Sequence, residues 1–372
     1  MKILLISHSY PPVIGGIERQ NYELFRELSK IADTKIIANT RGKFFLPIFL
    51  PYAFLKAFFV MTRYDACLLG SGVLSPLGAA LKFFHTKKSF FSVIHGLDIT
   101  FAQKKGLLAK IYAGVNINAL KRLNKIFAVG NATIEEALNA GINEQQCKFI
   151  PNGVSEDDLR EKHNRQELEN LFGKNLKGKK VILRLARFVP HKGTSWFIEN
   201  VMPKLPGNVV MIAAGNRVSK NTAGDQDDFI NSEKAVMENK LEDRVRLLPC
   251  LPWTDVKILF NTVDLVVSPN IKVAGSMEGF GINAIEAGMC GRVVVASDLE
   301  GLKDAVKNGK NGFLIEPENA KDWSKKINEI FDKGDDFLKS FGRKSYDYVK
   351  ENYSWDKIAD TYYEEMRKAS GK

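Results

Sequence analysis

Residues 265–289 read LVVSPNIKVAGSMEGFGINAIEAGM. The stretch opens on a short apolar strand, 265–268, and passes through a polar loop. Gly279-Phe280-Gly281 then turns the chain into a helix in which Ile282, Ile285 and Met289 share one face by spacing. The same order recurs on both sides of it. Upstream strands are expected at 2–7, 34–38, 66–70, 89–95, 125–129 and 148–150. A second series is expected at 180–185, 209–214, 245–248, 265–268, 292–296 and 312–315. Short strands separated by helices imply parallel pairing through right-handed crossovers. Strands apolar on both sides belong to a sheet covered on both faces. Residues 155–180 are polar and charged, and read as a linker region with one helix.

A chain of 372 residues is too long for one compact core. The fold class expected is α/β: two doubly wound Rossmann-like domains, 1–165 and 166–352, facing a central cleft, with a terminal helix at 353–372. In such sheets ligands bind at the carboxyl ends of the strands, and the unusual residues of this chain cluster there.

The chain is 45% hydrophobic and 26% charged, with a net charge of +11. A basic balance fits polyanions: nucleic acid, an anionic membrane face or phosphorylated small molecules. No zinc-finger spacing or RNP-like aromatic motif is present, and Lys and Arg are scattered, so nucleic acid is not expected as a partner. Cys67, Cys147, Cys250 and Cys290 are far apart in sequence, which excludes a CxxC pair or metal knuckle. Three of them sit within or beside apolar runs, which fits a reduced, cytoplasmic compartment. The opening MKILLIS is too short an apolar run for a signal peptide and reads as the first strand. Residues 44–61, FFLPIFLPYAFLKAFFVM, carry Lys56 as their single charge. Three readings stand for them: a buried core helix, an interfacial helix lying on a membrane, and a short transmembrane span.

Five groups of residues stand out for their chemistry. Glu278 and Glu286 flank the Gly-Phe-Gly turn. The glycines allow a ligand close to the main chain, and the helix from Ile282 aims its free N–H groups and positive end at an anion. An anion explains the cradle and hydroxyls explain the acids; a nucleotide sugar has both. Glu286 reads either as an exposed helix residue or as a carboxylate beside the apolar stripe that needs a donor. In Arg187-Phe-Val-Pro-His-Lys192-Gly193, two cations lie beyond a strand end, suited to a diphosphate or to a solvated basic loop. His95 ends an apolar strand beside Gly96, with Asp98 near. Gly15-Gly16 follows the first strand, and Asn152-Gly153 stands at the border of the two halves. No Asp-x-Asp element stands at a strand end to hold a metal with diphosphate, so no metal and no cofactor is expected. No P-loop is present, and no GxGxxG follows the first strand.

In this order the motifs resemble those of the retaining glycosyltransferases of family 4, the group 1 glycosyl transferases of the GT-B fold. HSYPPVIGGIERQ, VIHGLDIT, KFIPNGV, LARFVPHKG, EGFGINAIEAG and NGKNGFLIEP all contribute. The resemblance implies a hexosyltransferase using a UDP-, GDP- or ADP-sugar. Arg187 and Lys192 would bind the diphosphate, and Glu278 the donor sugar. The main chain of Gly279, Phe280, Gly281 and Ile282 would approach sugar and phosphate. Glu286 would bind the ribose hydroxyls, His95 would reach the sugar, and Gly15 and Gly16 would lie near the diphosphate. It also implies a terminal helix, YSWDKIADTYYEEM, that returns to the first domain. Two departures stand out. Residues 271–277 lengthen the loop before Glu278, and DLEGLK at 298–303 replaces a Gly-Gly pair followed by an acid. The expected acceptor is a glycan or lipid-linked saccharide in cell-surface polysaccharide synthesis, at the cytoplasmic membrane face. The rivals are an epimerase or inverting transferase of the same fold, and a silent sugar-nucleotide-binding subunit.

Overall fold

Each of two sheets is built from six parallel strands. In the first, β1 (Lys2–Ser7), β2 (Asp33–Ala38), β3 (Ala66–Leu69), β4 (Ser89–Ile94), β5 (Lys125–Ala128) and β6 (Cys147–Phe149) lie in the order 2-1-3-4-5-6. In the second, β7 (Lys180–Leu185), β8 (Val209–Gly215), β9 (Val245–Pro249), β10 (Leu265–Ser268), β11 (Val293–Ser297) and β12 (Phe313–Ile315) lie in the order 9-8-7-10-11-12. Every expected strand is present, with ends within two residues of the expected ones. The structure is a computed structural model and describes residues 1–13, 15–101, 106–217 and 227–371. Lys372, the expected end of the last helix, lies outside the described residues.

The strand order reverses once in each sheet, between β1 and β3 and between β7 and β10. At such a switch point the two neighbouring crossovers leave on opposite faces and open a crevice at the strand ends. β3 and β4 are buried along their whole length, as expected of strands covered on both faces.

The chain divides into two compact units: Met1–Gly153 with Gly275–Phe280 and Trp355–Lys372, and Val154–Ala274 with Gly281–Ser354. The first break therefore falls at 153/154 rather than at the expected 165/166. The physical reason is that residues 155–165 are fastened to the second unit. Leu159 is fully buried and its carbonyl accepts from Asn261 Nδ2 at 2.7 Å. Glu156 accepts from Tyr346 Oη and Lys350 Nζ, each at 2.8 Å.

The last helix, Trp355–Ala369, completes the first unit. The Tyr362 ring meets Phe127 of β5 edge-on at 5.2 Å. Glu365 reaches Lys125 at 3.3 Å and Lys148 at 3.7 Å. Trp355 lies so close over Gly153 that a Cβ there would come within 2.4 Å of the indole, which accounts for the glycine of Asn152-Gly153.

Helix α1 spans Gly16–Ile31, α2 Leu46–Val60 and α3 Ser75–Phe84. Phe49, Ala53, Ala57 and Met61 recur every fourth residue and join the core of the first unit. So α2 is a core helix on one face; its outer face is also apolar.

Candidate functional site

In the second unit the basic turn stands at the switch point. Arg187 follows β7, and the turn Pro190–Lys192 ends at Gly193, which opens the helix Thr194–Asn200. Three contacts hold this turn to the β10 side. Buried Arg184, within β7, donates from Nη2 to the Lys192 carbonyl at 2.6 Å and to Asn270 Oδ1 at 3.1 Å. The Ile271 N–H donates to the His191 carbonyl at 3.1 Å. Gly193 has φ +67°, and a Cβ there would sit 1.9 Å from the Pro269 carbonyl oxygen. The backbone of Lys192 is thus fixed, while Arg187 is exposed and Lys192 half-buried.

The helix Ile282–Met289 starts from Gly281 at φ +95°, a left-handed cap that a residue with a Cβ resists. Asn283 of its first turn donates from Nδ2 to the Leu185 carbonyl at 3.1 Å and to Ser268 Oγ at 3.0 Å. It ties this N-terminus to the ends of both β7 and β10. Glu286 is 8% exposed, which rules out the reading as an exposed helix residue. A carboxylate so placed needs donors. Sequence reasoning missed Arg184 and Asn283. An Arg inside the apolar run KVILRL gave the only hint of the first. The DLEGLK departure leaves its trace in the backbone: Glu300 adopts φ +47°, a conformation natural to glycine.

In the first unit the expected residues also gather at a switch point. His95 follows β4, and its Nε2 lies 3.0 Å from the Gly70 carbonyl at the end of β3. A carbonyl only accepts, so Nε2 carries a proton, and in the neutral ring Nδ1 keeps its lone pair. Buried Asp98 accepts from the His95 N–H at 2.9 Å and from the Gly72 N–H at 3.0 Å, which fixes the loop at both strand ends. The segment Gly275–Phe280 packs here. A Cβ on Gly279 would stand 2.5 Å from the His95 carbonyl oxygen, and one on Gly96 2.8 Å from Met277 Sδ. Gly279 therefore makes room for the protein's own His95, not only for a ligand. The lengthened loop has a use as well: its last residue, Met277, is buried against Gly96. Glu278 is half-buried beside them, and Gly15 and Gly16 are exposed at the start of α1.

His8, the residue after β1, completes this cluster and was not singled out from sequence, although it ends its strand as His95 does. Burial, and next the charge of His95, pushes its imidazole below the ordinary value of 6.5; Glu18 and Asp98 pull the other way. The unfolded chain therefore takes up a proton near pH 6.5 that the folded chain resists. Stability contributed by neutral His8 is present above that pH and is lost as the pH falls below it. In urea unfolding at about pH 7.5 and about pH 5.5, His8→Gln is expected to narrow the gap between the midpoints. An unchanged gap would assign the acid sensitivity to other groups.

Among the described residues no group of three His, Cys, Asp or Glu is placed to hold a metal ion. Two Rossmann-like units, each with its conspicuous residues at its own switch point, define the GT-B class of glycosyltransferase folds. Anabaena HepE, solved in complex with UDP, is similar with a TM-score of 0.77 at 19% identity, covering 99% of this chain and 100% of that one. Sucrose-phosphate synthase from Thermosynechococcus elongatus is similar with a TM-score of 0.75 at 17% identity, covering 99% of each chain. Residues 166–348 match the family model described as Glycosyl transferases group 1. An N,N'-diacetylbacillosaminyl-diphospho-undecaprenol alpha-1,3-N-acetylgalactosaminyltransferase of Campylobacter jejuni is 30% identical over 251 residues, 65% of this chain and 61% of that protein. The chain thus matches about three fifths of that relative's length.

Proposed function

We propose that this protein is a retaining glycosyltransferase, independent of metal, that moves a sugar from a nucleoside-diphosphate donor to a hydroxyl of a glycan or lipid-linked saccharide. The observation that carries the reading is the clamped turn at the β7/β10 switch point. There Arg184, Gly193 and the Ile271 N–H fix the Lys192 main chain, and Asn283 ties in the start of the helix Ile282–Met289. Arg187, Lys192 and the helix N-terminus meet the charge that builds on the diphosphate as the sugar becomes oxocarbenium-like. Glu286 takes the ribose hydroxyls. His95, with Nδ1 as an acceptor, and Glu278 take sugar hydroxyls.

In the transfer, the bond from the anomeric carbon to the diphosphate breaks and one to the acceptor oxygen forms on the same face. The acceptor proton passes to a donor phosphate oxygen. Because the cations supply the charge compensation, the reaction is expected to proceed in EDTA. The diphospho-undecaprenol saccharide in the name of the Campylobacter relative supports a lipid-linked acceptor in cell-surface glycan synthesis, with the enzyme at the cytoplasmic face.

The test is a thermal-shift screen with UDP-, GDP- and ADP-sugars, beginning with UDP-glucose. At about 100 times its dissociation constant, the true donor stabilises the folded protein by about 2.7 kcal/mol. No shift with any of them would overturn the reading. Proton NMR of the product then checks retention: a product of inverted anomeric configuration would sink that part alone.

A further inference from the structure

We propose that the outer face of α2, together with the end of α3, docks this protein on an anionic membrane surface. Its inner face, Phe49, Ala53, Ala57 and Met61, is core. The outer face of a surface helix is ordinarily polar. Here Phe44 just before α2 is 89% exposed, and Ile48, Tyr52, Leu55 and Phe59 follow at 63%, 51%, 57% and 71%. Steps of four, four, three and four residues put all five on one stripe. Phe83 and Phe84 at the end of α3 are 78% and 58% exposed. Phe58 links the two helices, meeting both Phe59 and Phe84 edge-on at 5.4 Å. A continuous apolar surface of this kind marks an interaction site.

Charge decides the occupant. Residues 34–97 contain eight Lys and Arg against one acid, Asp65, so this span carries most of the chain's net charge of +11. Asp65 is engaged by the Lys2 N–H at 2.7 Å. Lys43 stands over the Phe44 ring at 5.4 Å, and Lys56 donates to Tyr52 Oη at 2.8 Å. A second copy of the chain would bring like charge onto like charge. A leaflet rich in acidic lipid offers what both features need: acyl chains for the phenylalanines, and phosphates for lysines whose stems lie along the apolar face. Tyr52, with a hydroxyl tip on an apolar ring, suits the boundary between them. The helical stretch Lys43–Arg63 is 21 residues long and apolar enough to cross a membrane. Crossing would strip Phe49, Ala53, Ala57 and Met61 from the core, so the helix lies along the surface instead.

This inference stands apart from the reading of the sugar-nucleotide site. It is tested by flotation of the full chain with vesicles of phosphatidylcholine alone and of phosphatidylcholine with roughly one-third phosphatidylglycerol. The protein is expected to float with the anionic vesicles, and less so as salt rises. Ile48→Ser, Leu55→Ser and Phe59→Ser combined should weaken binding at least about tenfold, since each removes apolar area that enters the lipid. Lys43→Glu with Lys56→Glu should lower binding to anionic vesicles only. All five residues lie outside the core, and an unchanged melting temperature confirms the fold of each variant. Wild-type protein that stays in the soluble fraction, or variants that float as well as wild type, would overturn the proposal. So would a lipid-free dimer in sedimentation that the serine variant abolishes, because a second copy would then be the occupant.

Discussion

Turnover by Arg187→Ala and by Lys192→Ala falls at least about 100-fold, while melting temperatures stay at the wild-type value. The size of the effect follows from where the charge appears. Each prearranged donor aimed at a developing anion is worth about 3–4 kcal/mol when lost. The indifference of stability follows from exposure. Arg187 is exposed and Lys192 half-buried, whereas the turn is held by Arg184, Asn270 and the Pro269 carbonyl, none of which the substitutions touch. The loss should fall on kcat more than on KM, because the diphosphate gains most of its charge on the way to the transition state. Near-wild-type kinetics in both variants would refute the diphosphate assignment.

Gly193→Ala has the opposite signature: it damages fold and activity together. A Cβ at Gly193 would lie 1.9 Å from the Pro269 carbonyl oxygen, at φ +67°. The obstacle is backbone at the end of β10, so no side chain can swing aside. The expected cost is about 2–4 kcal/mol, seen as a melting temperature lower by roughly 5–10 °C. Turnover falls as well, because Lys192 is the preceding residue and a displacement near 1 Å costs roughly 100-fold in rate. Gly207→Ala is the control. Nothing lies within 4 Å of the place its methyl group would take and its φ is not positive, so its effect should stay within about 0.5 kcal/mol. Equal melting temperatures for the two variants would show that the turn is not clamped as described.

The strands could be read from the amino-acid order because a parallel sheet covered on both faces turns each strand into a short unbroken apolar run. LVVS at 265–268 and KVILRL at 180–185 need no context to be recognised. The residues expected at the strand ends also stand there. What escaped was decided by contacts between distant segments. That Gly279 yields space to His95 depends on a neighbour 184 positions away in the chain. The role of Arg184 depends on where the Lys192 carbonyl turns. The break at 153/154 depends on Glu156 finding Tyr346 and Lys350. Helix α2 resisted for another reason. With both faces apolar its residues show no helical period to read, and only the packed structure separates the face at Phe49 from the face at Ile48.

The placement of the last helix has a consequence for synthesis. Trp355–Ala369 covers Phe127 and Gly153 and supplies Glu365 to Lys125 and Lys148. A ribosome releases β1 through β6 some 200 residues before it releases that helix. The first half of the polypeptide to emerge is then the last to be finished. It waits with Phe127 uncovered while the intervening unit folds, until Trp355–Ala369 has emerged to seal it.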